Sequence, residues 1–250
     1  MVFVGVILLV LAVVFFFIGR SQTGKLDAMN AADTYSAKLL RELHAKITES
    51  VGKDAFVQPS EVVGTIECDD PLVTPNGSVP CVAYTRSVTR EYEERVTSTN
   101  SDGKRETRTE RKSETLESQD RRVNFYVRDE TGRTLIIPAE AELELEEVHN
   151  HFDERQQPWS GATRNLGKRT TESALQLGTT VYVLGCAVDY QGQVAIAKGP
   201  SDRKQLFMVS RKSERELAGS AASWAGYMKY ATAGSAIVGF ILLVIGLLFG

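Results

Sequence analysis

Two unbroken apolar stretches bracket the chain. From Val2 to Ile18 there is no charged or strongly polar side chain, and from Ala231 to Phe249 only the small Thr232 and Ser235 interrupt the pattern. Each run is about 17–19 residues, close to the roughly 20 that a helix needs to cross about 30 Å of hydrocarbon. Neither keeps the polar face of a helix packed on a soluble core. The pattern predicts transmembrane helices over 1–19 and 231–249. A cleaved signal peptide is the rival reading of the first. It wants basic residues ahead of the apolar run and a small-residue cleavage site behind it. Nothing basic precedes this run, and Gly19, Arg20, Ser21 and Gln22 make a poor site, so an uncleaved anchor is expected.

Between the anchors the period changes twice. Residues 20–59 read as a linker followed by an amphipathic helix over 33–51. In that helix Leu39, Leu40, Leu43, Ile47 and Val51 recur at three- and four-residue spacing, and Gly52 supplies a stop. From residue 60 to 212 the texture is that of strands, at 62–67, 79–90, 123–128, 133–137, 180–190, 193–198 and 206–209. These are rich in Val, Ile, Tyr and Phe, with hairpin turns expected at Asp129–Gly132 and Asp189–Gly192. Residues 86–122 stand apart: about half are charged, with signs nearly balanced. Asp102 and Gly103 give a turn signal, so this insert is either a long solvated hairpin or a partly disordered segment. Residues 150–175, around Pro158, Trp159 and Gly161, read as a polar loop. Ser213 and Glu216 fit a capping box, predicting a juxtamembrane helix over 213–230 that continues into the second anchor. The fold class expected is α+β: a β-rich, barrel-like soluble domain with an N-terminal helix, flanked by two transmembrane helices.

Charge settles orientation rather than chemistry. The 250 residues are 42% hydrophobic and 24% charged, totals that would suit a soluble protein if the apolar residues were evenly spread. Arg20 and Lys25 follow the first apolar run, and Arg211, Lys212, Arg215 and Lys229 precede the second. The excess of basic residues on the domain side places the domain in the cytoplasm, with both termini across the membrane. Trp224, Tyr227 and Tyr230 stand where an interfacial aromatic belt is expected. A net charge of −3 singles out no partner, and balanced signs in the charged insert argue against a nucleic-acid arm.

Candidate chemistry is sparse. No G-x-S-x-G, P-loop or G-x-G-x-x-G pattern occurs. His149 and His151 would share one face of a strand, with Asp153 and Glu154 nearby, but no third ligand of fixed geometry is evident, and a solvated loop is the expected reading. Cys68, Cys81 and Cys186 form no C-x-x-C, and Cys81 and Cys186 lie in apolar strands where inert buried thiols are usual. No catalytic, cofactor-binding or metal-ligating residues are assigned, and no cofactor is expected. One regularity remains. Gly5, Ala12 and Gly19 are seven apart, as are Thr232, Gly239 and Gly246. Seven residues are nearly two helical turns, so each set lines one stripe, and small residues let membrane helices approach closely. These stripes are expected to face each other, within one chain or between chains, as a left-handed pair.

The strand region resembles the GIDE, or "beside a membrane" (BAM), domain family. The resemblance begins at Gly64–Glu67 and the loop and strand carrying Pro71, Leu72, Pro75, Gly77, Cys81 and Tyr84. It continues with Phe125, Tyr126, Asp129, Gly132 and Pro138, an F-Y strand meeting a D-x-T-G turn. Gly178, Gly185, Phe207 and Ser210 match its last strands, so the likeness covers roughly 60–220 in order. It implies a β-rich domain between two membrane helices. In eukaryotic members a RING follows, and they are mitochondrial or plastid-envelope E3 ubiquitin ligases.

A RING takes eight Cys/His zinc ligands in spaced pairs. These 250 residues hold three Cys and three His, none of them after residue 186. The expectation is therefore a membrane-anchored, non-catalytic interaction or scaffold module. The alternative is an E3 ubiquitin-protein ligase by family resemblance. The partners expected are the lipid bilayer, an unidentified protein and a second copy through the transmembrane helices, with no nucleic acid. A RING-less form suits a prokaryotic plasma membrane.

Overall fold

A computed structural model describes residues 2–52, 56–99, 104–199 and 206–249. The chain divides into two compact units, one made of residues 1–64 and 181–250, the other of residues 65–180. The first is assembled from both ends of the sequence, with the second inserted between its halves. The fold is β-rich α+β, with a helix at each end.

In the first unit, helix α1 spans Val2–Asn30 and helix α3 spans Glu214–Phe249. Both are long and apolar enough to cross a membrane. Helix α1 runs on past its apolar stretch to Asn30, carrying Arg20, Lys25 and Asp27 on its last turns. The capping box at the start of α3 is made: the Glu216 carboxylate accepts from the Ser213 N–H at 2.9 Å, and the Ser213 hydroxyl accepts from the Glu216 N–H at 3.3 Å. Those two bonds satisfy donors that the first helical turn leaves without partners.

The short strand β1 (Asp33–Thr34) pairs in parallel with β2 (Val57–Glu67), setting Thr34 beside Glu61. Helix α2 (Ala37–Val51) starts at its N-cap Ser36, whose hydroxyl accepts from the Leu39 N–H. The amphipathic stripe read from the sequence is rotated in the structure. Leu40 is fully buried, but Leu39 is 47% exposed, and Ala37 and His44 take the inward places. Ala37, Leu40 and His44 recur at three- and four-residue spacing, and a histidine is not scored as apolar, so the sequence signal drifted to Leu39. Strand β11 (Thr180–Tyr190) pairs antiparallel with β12 (Gln193–Ala197) and with β13 (Met208–Ser210). Its central residues are buried without alternation, as befits a strand covered on both faces. Met29, Tyr182 and Leu184 form a core cluster there, flanked by Leu206, Leu217 and Ala218.

In the second unit, strand β3 (Leu72–Val73) and the long strand β5 (Arg105–Arg122) share one edge of β4 (Pro80–Thr99). On its other edge β4 pairs with β10 (Thr163–Gln176), which pairs in turn with β9 (Glu146–Glu154), all antiparallel. A hairpin of β6 (Phe125–Asp129) and β7 (Gly132–Ile136) follows, then one 3-10 turn at Pro138–Glu140 and strand β8 (Glu142–Leu143). The Asp129 carboxylate caps the β6–β7 turn, accepting from the Thr131 N–H at 2.7 Å and the Gly132 N–H at 2.9 Å.

The structure favours one of the two readings of the charged insert and corrects the reading of residues 150–175. Residues 86–99 and 105–122 are β-strand, as the hairpin alternative for this insert expects, and the paired register of the two strands runs from Ala83 opposite Arg122 to Thr99 opposite Arg105. The expected Asp102–Gly103 turn lies outside the described residues. Residues 150–175 are mostly strand rather than loop, because β9 and β10 satisfy each other's backbone groups although their side chains are polar. Hydropathy reports side-chain burial, whereas backbone pairing holds these strands.

The outer part of β4 and β5 has exposed side chains, and its inner part is held by β10 on the far edge of β4. The described residues between 97 and 107 are all exposed, so little packing is expected to be lost when residues 97–107 are replaced with Asn-Gly. The melting temperature is expected to change by no more than about 2 °C, since surface changes stay within about 0.5 kcal/mol. A drop of many degrees would show that this tip packs on something.

Candidate functional site

The helix pair of the first unit is the feature most unlike an ordinary soluble fold. Gly5 and Ala12 are buried on α1, and Gly239 and Gly246 are buried on α3, while Gly19 and Thr232 are half-buried. A Cβ added at Gly5 would stand 2.9 Å from the Gly239 carbonyl oxygen and 2.9 Å from the Leu243 nitrogen. One added at Gly239 would meet the Gly5 carbonyl and the Leu8 Cβ, each at 3.0 Å. At the other end, a Cβ on Gly19 would lie 3.2 Å from the Met228 Cβ. The two backbones touch at the glycines, and only the missing side chains allow it. The Thr232 hydroxyl is satisfied locally, donating to the Met228 carbonyl at 2.8 Å. Beside the pair, α1 and α3 line a cleft of 710 Å³ that includes Phe15, Phe16, Arg20, Met228 and Lys229.

The first unit also holds two polar pairs that sequence reading missed. Glu61 is 2% exposed; its carboxylate accepts from the Tyr182 hydroxyl at 2.6 Å and from the Thr34 hydroxyl. Burial, then the bond to Glu61, pushes the Tyr182 phenol far above its ordinary value. His44 Nε2 lies 2.6 Å from the Asp189 carboxylate, with its ring edge-on to Phe56 at 5.1 Å. No local sequence pattern links residues 44 and 189, so neither pair was legible.

The second unit has its own buried carboxylate. Glu172 on β10 is fully buried, accepting from the Asn76 N–H at 3.0 Å and the Gly77 N–H at 2.9 Å, with Arg86 Nε at 3.6 Å. It clamps the β3–β4 loop that holds Pro75 and Gly77, while Pro71 directly precedes β3. Thr74 ties the same loop to Val79 by two bonds. A Cβ at Gly77 would press on the Thr74 hydroxyl at 3.1 Å, which accounts for a glycine there. Glu172 follows two threonines without another charge beside it, a faint signal for burial. Cys81 is fully buried near it. Burial first and the Glu172 charge second push its thiol up to about 11, so at neutral pH it is no nucleophile.

Charged side chains cross the β4, β5 and β10 surface in pairs. Arg111 and Arg169 both reach Glu91, at 2.6 and 2.8 Å. The hydrogen bond from Arg169, with Arg111 adding to it, holds that carboxyl below the usual range. Arg86 meets Glu117 at 2.7 Å, Arg164 meets Glu93 at 2.6 Å, and Lys112 bonds Glu94. Arg95 lies 3.9 Å above the Trp159 ring, and Arg164 lies 5.4 Å from it. Such pairs fix strand register more than they add stability.

Of the other residues singled out in the sequence, Leu72, Cys81 and Tyr84 meet in one apolar cluster with Ala174. Phe125 is buried, and Tyr126 lies under the Arg133 guanidinium at 4.0 Å. Asp129 and Gly132 form the hairpin turn, Pro138 is buried at the 3-10 turn, and Gly178 takes φ 74° in the turn before β11. In the first unit, Gly185 admits Phe207, whose Cδ2 would be 2.8 Å from an added Cβ. The buried Ser210 hydroxyl accepts from the Lys212 N–H at 3.0 Å. His149 and His151 lie on β9 with ring centroids 6.2 Å apart. Among the described residues, no group of three His, Cys, Asp or Glu side chains is placed to hold a metal ion.

The sequence model of the GIDE family, described as "E3 Ubiquitin ligase", matches residues 93–246. The chain belongs to the GIDE family. The match runs from the charged strands through the last β-strands and into α3, while Pro71 to Tyr84 precede it. No curated protein and no solved structure matches the chain.

Gly239→Leu is expected to force α1 and α3 apart, because backbone atoms of Gly5 cannot yield as a flexible side chain would. Overpacking of this kind costs about 1–3 kcal/mol. Gly234→Leu, on the same helix, meets nothing within 4 Å. Melting of the purified protein in detergent should fall for the first variant and hold for the second. Equal melting for both would refute close packing at this point.

Proposed function

We propose that this GIDE-family chain is a non-catalytic interaction module, anchored in a membrane by α1 and α3, that binds a partner through its β-rich part. The observation that carries the reading is the inventory of zinc and thiol chemistry. A RING draws on eight paired Cys/His ligands. Three Cys and three His are spread through these 250 residues. Cys81 and Cys186 are buried, and Cys68 is half-buried. A thiol-transfer ligase needs an exposed, low-pKa cysteine, and the Cys81 thiol sits at about 11. The partners proposed are the bilayer, a protein not yet identified, and a second copy of the chain through the membrane helices.

The family description favours a second reading, a ubiquitin ligase in its own right. Incubating the purified full chain with ubiquitin-loaded E2 separates the two. The non-catalytic reading expects no faster E2 discharge than buffer gives, and less than one bound zinc per chain. Accelerated discharge, with zinc bound in stoichiometric amount, would establish the ligase reading instead.

The proposal places the β-rich part in the cytoplasm, on the strength of Arg20, Lys25, Arg211, Lys212, Arg215 and Lys229 on its side of the apolar runs. In intact cells, a membrane-impermeant thiol reagent should leave Ser98→Cys unlabelled and label a cysteine appended after Gly250. The opposite pattern would reverse the topology.

A further inference from the structure

The cleft between α1 and α3 is built from omissions. Gly19, Gly24, Ala225 and Gly226 line it without projecting side chains, and a Cβ at Gly24 or Gly226 would meet nothing within 4 Å. Its apolar wall is Phe15, Phe16 and the buried Met228. Arg20 and Lys229 also line it. Arg20 is the first charged residue after the apolar run of α1, and Lys229 is the last before that of α3. The contact of Gly19 with Met228 brings the two cations to the same level. Both are exposed, and neither is in an ion pair among the described residues. Asp27 lines the cleft two turns beyond Arg20, farther from the apolar run.

Two cations at the level of a bilayer's phosphates, above an apolar groove, are complementary to one kind of molecule. A soluble anion would leave the groove empty, and an apolar peptide would leave the cations unmatched. With Asp27 counted, the lining carries one net positive charge, which a single phosphodiester cancels. We infer that the cleft binds one anionic glycerophospholipid, its phosphodiester between Arg20 and Lys229 and an acyl chain along Phe15, Phe16 and Met228. The site would tie the helix pair to lipid of a given charge, rather than to any bilayer. This inference rests on the membrane-anchored reading above.

Native mass spectrometry of the detergent-purified full chain, with phosphatidylglycerol or phosphatidylcholine added, tests it. The chain should retain phosphatidylglycerol about tenfold more than phosphatidylcholine, as expected for two cations at a lipid surface. Arg20→Gln with Lys229→Gln should abolish that preference. Gly226→Leu keeps both charges and replaces a poor helix former by a good one. It fills the groove, so it should lose the lipid adduct while remaining folded. Millimolar inorganic phosphate should leave the adduct in place. Equal retention of the two lipids, an adduct undiminished in Gly226→Leu, or displacement by phosphate would each overturn the lipid site. Alkaline carbonate extraction of the same proteins keeps the two readings apart. A wild-type chain that washes off the membrane overturns both, whereas an integrated chain without lipid preference overturns only this one.

Discussion

Contact between the backbones of α1 and α3 is the interaction on which the first unit depends. That unit is drawn from residues 1–64 and 181–250, so its two halves must find each other across the length of the chain. In hydrocarbon, lipid tails solvate Leu and Val as well as another helix does, and burial alone brings nothing together. What remains is close van der Waals contact, and it requires Gly5 and Gly239 to present backbone to backbone. Beyond the apolar runs, ordinary burial takes over, with Met29 meeting Tyr182, Leu184 and Leu217 in one cluster. The same pair of helices is thus held by two different forces along its length, changing where Arg20 and Lys229 mark the end of the apolar runs.

Among the described residues each unit also encloses one buried carboxylate, and each solves the cost of burial locally. Glu61 receives two hydroxyl donors, and Glu172 receives two backbone N–H groups with a guanidinium behind. Burying an unpaired charge would cost several kcal/mol, so such groups persist only with full sets of partners. In exchange they fix geometry: Glu61 locks β1 and β11 to β2, and Glu172 holds the β3–β4 loop in one shape. The tight Gly77 packing and the inert Cys81 thiol both follow from that second clamp.

Legibility in the sequence tracks how local the cause is. The apolar runs, the Ser213–Glu216 cap and the Asp129 and Asp189 turns are set by residues within a few positions of one another, and all were read directly. The β9 and β10 strands read as a loop in the sequence because their cause is pairing, of β9 with β10 and of β10 with β4, and no local window contains that register. Leu39 was placed inward on α2 because hydropathy cannot anticipate that His44 would be buried against Asp189. Glu61, Tyr182 and Thr34 lie too far apart in sequence for any spacing rule to join them. The cleft at Arg20 was invisible for a different reason: it consists of side chains that are absent.

Membership in the GIDE family and the ligase description attached to it are separable facts. The family match covers strands and most of α3, a helix long and apolar enough to cross a membrane, and elements of this kind carry no chemistry of their own. Ubiquitin transfer needs either a zinc-built platform for an E2 or a reactive thiol, and each demands particular side chains at particular distances. Two of the three cysteines here serve packing. Cys81 fills an apolar cluster beside Tyr84, and Cys186 is buried in β11. A fold can be inherited whole while the reaction stays with residues that lie elsewhere. The close pairing of α1 and α3, helices long and apolar enough to cross a membrane, is likewise a matter of packing rather than of reaction chemistry.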